Sequence, residues 1–70
     1  MALNYAYNYA EIDPETNMCI CVESRTLNSP PGPNWVEIPV NDGEYLFKFY
    51  INGSWYEDPE GTIPWTSSLL

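Results

Sequence analysis

The sequence contains no histidine, and Arg25 and Lys48 are its only basic side chains against ten Asp and Glu, a formal net charge of −8. Lacking imidazole, the chain is without the side chain that most often serves as general base or metal ligand near neutral pH. Lacking clustered Lys and Arg, it cannot draw affinity from counterion release, so nucleic acid is excluded as an expected ligand. The same imbalance disfavours an anionic membrane surface, and no apolar run approaches the roughly 20 residues a spanning helix needs. The opening Met1-Ala2-Leu3-Asn4-Tyr5 has neither the basic start nor the apolar stretch of a secretory signal. The expected location is the cytoplasm or a particle assembled there.

Cysteine is scarce too: Cys19 and Cys21 form a Cys-x-Cys pair. On a strand both would point to one face about 6.5–7 Å apart, wider than a disulfide usually spans, so they are expected to be reduced and packed as small apolar side chains. No further soft or imidazole ligands are present, so no metal or cofactor is expected. Turn residues such as Asp13, Glu15 and Asn17, or Asp58 and Glu60, do not follow the spacing of an EF-hand calcium loop.

What is abundant is aromatic surface: three Trp, six Tyr and two Phe in 70 residues. A single domain of this size buries only about 60% of the surface its unfolded chain exposes. Ordering costs roughly 1.5 kcal/mol per residue, so a thin core needs large side chains, self-association or a partner. Each aromatic ring can bury roughly 150–250 Å².

Period-two alternation from Leu3 to Ile12 predicts a strand with Leu3, Tyr5, Tyr7, Tyr9 and Glu11 on one face and Ala6, Ala10 and Ile12 on the other. Asp13-Pro14-Glu15-Thr16-Asn17 is a turn, and Met18 to Ser24 is the return strand, with Ile20 and Val22 on one face and Cys19 and Cys21 on the other. Arg25 to Asn34 is a loop whose Ser29-Pro30-Pro31-Gly32-Pro33 centre should be stiff and extended; it reads as a connection between two hairpins or as a proline-rich ligand for an aromatic groove. Trp35 to Val40 alternates again, with Val36, Ile38 and Val40 inward, and Pro39 marks an edge or a strand end.

Glu44 to Ile51 reads as a strand with Tyr45, Phe47, Phe49 and Ile51 on one face, Leu46, Lys48 and Tyr50 on the other and the core on the Phe47 and Phe49 side. Asn52-Gly53 follows, a type I′ hairpin signal. A two-residue loop sets Ile51 opposite Ser54, Tyr50 opposite Trp55, Phe49 opposite Tyr56 and Lys48 opposite Glu57. Asp58-Pro59-Glu60-Gly61 is a further turn, and the apolar end, Ile63, Trp65, Leu69 and Leu70, calls for a cover. Residues 63–70 are expected either to fold back on their own sheet or to dock on another subunit. The predicted architecture is all-β: one domain over residues 1–70, a small antiparallel meander of four to five short strands built as two hairpins joined by the proline-rich loop.

Catalytic constellations are missing as well. There is no histidine to activate a nucleophile, no glycine-rich phosphate loop, and a chain this small rarely builds a cleft for paired carboxylates. A non-enzyme is expected. Three roles are compatible with the residues: an assembly module that buries aromatic faces against a partner, a carbohydrate-binding module that stacks Trp35, Trp55 or Trp65 on sugar rings, and an acidic mimic of nucleic acid. Scattering of the carboxylates among aromatic residues disfavours the third.

The stretch Trp35 to Glu57, with Ile38 and Asp42 closing a strand and Tyr45-Leu46-Phe47-Lys48-Phe49-Tyr50-Ile51-Asn52-Gly53-Ser54-Trp55 following, resembles a segment of small tail- and fibre-associated proteins of tailed bacteriophages. The opening Tyr9-Ala10-Glu11-Ile12-Asp13, with Asn17, the cysteines and Val22, is similar to the same group. Phe47 stands where that pattern most often has glycine, so core packing is expected to replace a tight backbone feature there. The resemblance implies a virion structural protein of the tail, fibre or head decoration, with no catalytic residues to carry over. The residues expected to meet a neighbouring subunit, another copy of the chain included, are Tyr5, Tyr7, Tyr9, Trp35, Tyr50, Trp55, Ile63, Trp65, Leu69 and Leu70; glycan or host-surface contact is the alternative.

Overall fold

The computed structural model describes residues 7–70, so the expectations placed on Leu3 to Ala6, Tyr5 among them, lie outside the described residues. Among the described residues the fold is all-β, with five short antiparallel strands in a three-stranded and a two-stranded sheet. Strands β1 (Tyr7–Ile12) and β2 (Cys19–Arg25) form the first hairpin. Its turn closes through Asp13 N–H to Met18 O at 2.9 Å and Asn17 N–H to Asp13 O at 2.7 Å. Asn17 takes a φ of 65° there, a conformation Asn tolerates better than most side chains.

Strand β3 (Trp35–Ile38) pairs with the free edge of β1, giving the order β2-β1-β3. The proline-rich loop, expected to join two hairpins, instead links β2 to β3 within this one sheet by crossing β1, because β3 takes the edge of β1 and the second hairpin begins only at β4. It leaves β2 at Arg25, opposite Tyr7, and enters β3 at Trp35, opposite Glu11. Ile12 N–H to Asn34 O at 2.8 Å and Tyr9 Oη–H to Asn28 Oδ1 at 3.0 Å tie it to the strand it crosses. Ala10, Ile12 and Ile38 face the core on the side away from this loop.

A β-bulge corrects the expected placement of the two cysteines. The register runs Glu11↔Cys21 and then Ile12↔Cys19, leaving Ile20 as the extra residue. Cys19 consequently joins Ile12 on the core face and Cys21 joins Glu11 on the other, while Ile20, expected beside Val22, is 46% exposed. Both thiols are free.

The second hairpin grows from the start of β2. Cys19 N–H donates to Lys48 O at 2.8 Å, Phe47 N–H to Cys19 O at 2.9 Å and Tyr50 N–H to Asn17 O at 2.9 Å. Beyond these bonds lie β4 (Phe49–Ile51) and β5 (Ser54–Tyr56), joined by Asn52 at φ 50° and Gly53 at φ 83°, the two positive angles of a type I′ turn. Pairs Ile51↔Ser54, Tyr50↔Trp55 and Phe49↔Tyr56 are those the sequence implies.

Residues 44–48 differ from the continuous strand the alternation suggests. Asp42 caps a 3-10 turn at Gly43–Tyr45, its carboxylate accepting the Glu44 N–H at 2.9 Å. Leu46 N–H to Gly43 O and Lys48 N–H to Tyr45 O continue the turning path. Phe47 emerges at φ 70° and 68% exposed, whereas Tyr45 is 2% exposed. Capping chemistry in Asp42-Gly43-Glu44 thus overrides the period-two pattern: of the face expected to hold Tyr45, Phe47 and Phe49, Tyr45 alone is in the core, Phe47 turns outward, and Leu46 and Tyr50 from the opposite face pack on the core instead. The tight backbone feature that glycine would serve is present, with Phe47 in it.

The end of the chain turns back on the second hairpin. Asp58 accepts N–H bonds from Thr62 and Ile63 at 2.8–3.1 Å, and the returning segment adds Glu57 N–H to Ile63 O at 2.8 Å and Trp65 N–H to Trp55 O at 3.0 Å. Gly61 sits at φ 70°, and a Cβ there would lie 3.3 Å from Ile51 Cδ1, so two constraints favour glycine at once. The core joins Ala10, Ile12, Cys19, Ile38 and Tyr45, with Val22, Val36, Leu46, Tyr50, Trp55 and Trp65 packed around them. Among the described residues no helix is long and apolar enough to cross a membrane.

Candidate functional site

Tyr45 is the hub of an aromatic cluster. Its ring meets Trp55 and Trp65 edge-on, each at 4.8 Å between centroids, and Tyr50 lies 5.1 Å from Trp55. Edge-to-face pairs of this kind contribute about 0.5–1.5 kcal/mol each beyond the area they bury. The 3-10 turn supplies Tyr45, the type I′ hairpin supplies Tyr50 and Trp55, and the returning segment supplies Trp65. Burial raises the Tyr45 hydroxyl above its ordinary pKa, with the Asp42 carboxylate adding to the effect.

Lys48, expected to pair with Glu57, instead holds its ammonium 5.1 Å from the centre of the Trp65 ring. A cation over an indole is worth about 0.5–1 kcal/mol at an exposed site. The departure follows from the turn at residues 43–48, which ends the hairpin ladder at Phe49↔Tyr56.

Outside this cluster the structure opens a groove of about 380 Å³. Trp55, Trp65 and Tyr45 line it together with Pro39, Pro64 and Leu70, and the hydroxyl residues Ser54, Thr66 and Ser67 complete the wall. None of these residues is charged, although the chain carries twelve charged side chains. One wall is clipped to the body by a buried hydrogen bond from Ser67 Oγ to the Asp42 carboxylate and by Ser68 Oγ to Glu44 Oε1 at 2.9 Å. Past that clip Leu69 and Leu70 are 62% and 66% exposed.

The residues singled out from the sequence separate into two groups. Trp55, Trp65 and Leu70 line the groove, Tyr50 packs against Trp55 outside that lining, and Ile63 lies exposed on the segment that returns to the groove. Tyr7, Tyr9 and Trp35 lie in the other sheet. Tyr9 is buried beneath the proline-rich loop, its hydroxyl bonded to Asn28, so its ring is covered by its own chain. Trp35 is half-buried with its ring against Gly32, which would place a Cβ 3.5 Å from Trp35 Cδ1. Tyr5 lies outside the described residues.

Sequence reasoning missed the hub position of Tyr45 and the Asp42–Ser67 clip. Asn41-Asp42-Gly43 was legible as a turn, and an Asp followed by Gly-Glu is also a helix-start signal that predicts a cap. Nothing local links Asp42 to Ser67, 25 residues away. Comparison of the chain with protein-family models, with curated proteins and with solved structures finds no match.

Proposed function

We propose that the chain is a non-enzymatic structural or assembly protein of a tailed-bacteriophage virion, made in the host cytoplasm and carried in the tail, fibre or head decoration. It docks on neighbouring protein subunits, copies of itself included. The observation that carries the reading is the uncharged aromatic groove, continuous with the exposed Leu69 and Leu70 on an otherwise strongly acidic chain. Apolar, aromatic surface with charge excluded from its centre is the composition of an interface core.

The virion part rests on the residue pattern around Tyr45 to Trp55, and the left-handed backbone at Phe47 supports it, because that position is where the pattern most often has glycine. The non-enzymatic part is supported by the missing histidine and by Lys48 being engaged over Trp65. The remaining acidic surface keeps particles apart by mutual repulsion. Mass spectrometry and immunogold labelling of purified particles test the proposal. It expects the chain at a fixed ratio to the other virion proteins, and its recovery only outside particles would overturn it.

A glycan is the second reading. It draws on the groove itself, where two indoles stand beside the hydroxyls of Ser54 and Thr66. Glycan-array binding by the folded chain, lost in Thr66→Glu, would favour it over protein docking.

A further inference from the structure

Both halves of a proline-recognition pair occur in this one chain. The groove offers two indoles and a phenol framed by Pro39 and Pro64, the kind of uncharged aromatic surface that takes up proline-rich segments. The loop between β2 and β3 offers Pro30, Pro31 and Pro33, all exposed. Prolines dock on rings without leaving N–H donors unsatisfied, because they have none. The loop is held before any contact: Arg25 Nη1 donates to Ser29 O at 2.7 Å, Tyr9 Oη to Asn28 and Ile12 N–H to Asn34 O. Little ordering entropy remains to be lost on binding.

Placement decides that the two halves meet between molecules. The loop crosses the face of the first sheet that carries Tyr9, and the aromatic cluster lies on the opposite, Ala10 and Ile12 side. A chain cannot fill its own groove. Charge agrees with the pairing by its absence: residues 26–34 carry no charged side chain and neither does the groove's lining. On a chain of net charge −8 these two surfaces meet without bringing carboxylates together, while Arg25, at the start of the loop, is held by Glu23 of its own chain at 3.4 Å.

Resting on the assembly reading above, we infer that the groove binds the Pro30–Pro33 segment of a second copy of this chain, in a head-to-tail contact. Such a contact uses different surfaces on the two partners, so it propagates into a ring or an open filament rather than stopping at a symmetric pair.

Sedimentation velocity over a concentration series tests this with two exposed substitutions, Pro31→Glu in the loop and Thr66→Glu in the groove, tryptophan emission confirming that each variant keeps the aromatic cluster. Wild-type chains are expected to form species larger than dimers. Each variant alone should lose roughly thirtyfold in association, as for an interface centre. An equimolar mixture should recover a dimer and nothing larger, because one intact loop then faces one intact groove. Wild-type chains that stay monomeric, a variant that associates like wild type, or a mixture that stays monomeric while wild type assembles would each overturn the inference. Should the chain stay monomeric yet be found at fixed ratio in purified particles, the assembly reading stands and the groove belongs to another subunit.

Discussion

Phe47 is the residue whose conformation departs furthest from its type. A φ of 70° brings Cβ close to the carbonyl oxygen, at a cost of roughly 1–2 kcal/mol for a residue other than glycine, and the 68% exposed ring recovers little of it by burial. Phe47→Gly should therefore stabilise the chain by about 0.5–1 kcal/mol after glycine's own entropy cost, read as a higher urea midpoint at unchanged slope. Cys19 contributes to the loss of stability on the alkaline side, in the same sense as the buried Tyr9 and Tyr45 hydroxyls. Burial pushes its thiol up to about 11, above the roughly 8.5 of an unfolded chain. The stability this supplies is complete below about pH 8.5 and is lost as pH rises toward 11, so a urea midpoint that falls across that window, and falls less in Cys19→Ala, is the expected outcome. Asp58 acts in the opposite sense. The Thr62 hydroxyl, aided by backbone N–H groups of Ile63 and Thr62, holds its carboxyl below the usual value. Its contribution is complete above the unfolded value of about 3.9 and fades as pH falls through the folded one, and Thr62→Val should shrink that acid-side loss.

At the scale of elements, the returning segment carries the most consequence, because Trp65 closes the aromatic cluster only if residues 57–65 lie along β5. Trp65→Ala should cost about 2–3 kcal/mol, less than the roughly 3–5 of a fully buried Trp, and should blue-shift less than wild type in tryptophan emission on folding. The sequence made several elements legible. The β1–β2 hairpin and the β4–β5 register followed from alternation and from Asn52-Gly53, signals that span only neighbouring residues. The single-residue offset at Ile20 was not legible, since it is imposed by Cys19 giving its N–H and C=O to residues 47–48, almost thirty positions later. For the same reason the placement of β3 beside β1 escaped a local reading. The groove was half legible: Trp55, Trp65 and Leu70 stood out as apolar surface needing a cover, while Tyr45 reached the hub only through the cap at Asp42.

For the whole molecule, the chain answers its shortage of interior by stacking rings on each other across three elements, and what it leaves open is a neutral groove on an acidic body. Much of the aromatic excess is thus spent inward, on Tyr45, Trp55 and Trp65, and the surface offered to a neighbour is narrower than the tyrosine face of β1 suggested. Charge then acts by exclusion: a contact centred away from the groove brings carboxylates together, and one centred on it does not. Hydrogen exchange on the free chain and on the chain recovered in assembled particles measures this most directly. The account predicts added protection at Ser54, Trp55 and Thr66 to Leu70, with the β2 edge unchanged; protection that appears elsewhere while those amides exchange as in the free chain would contradict it.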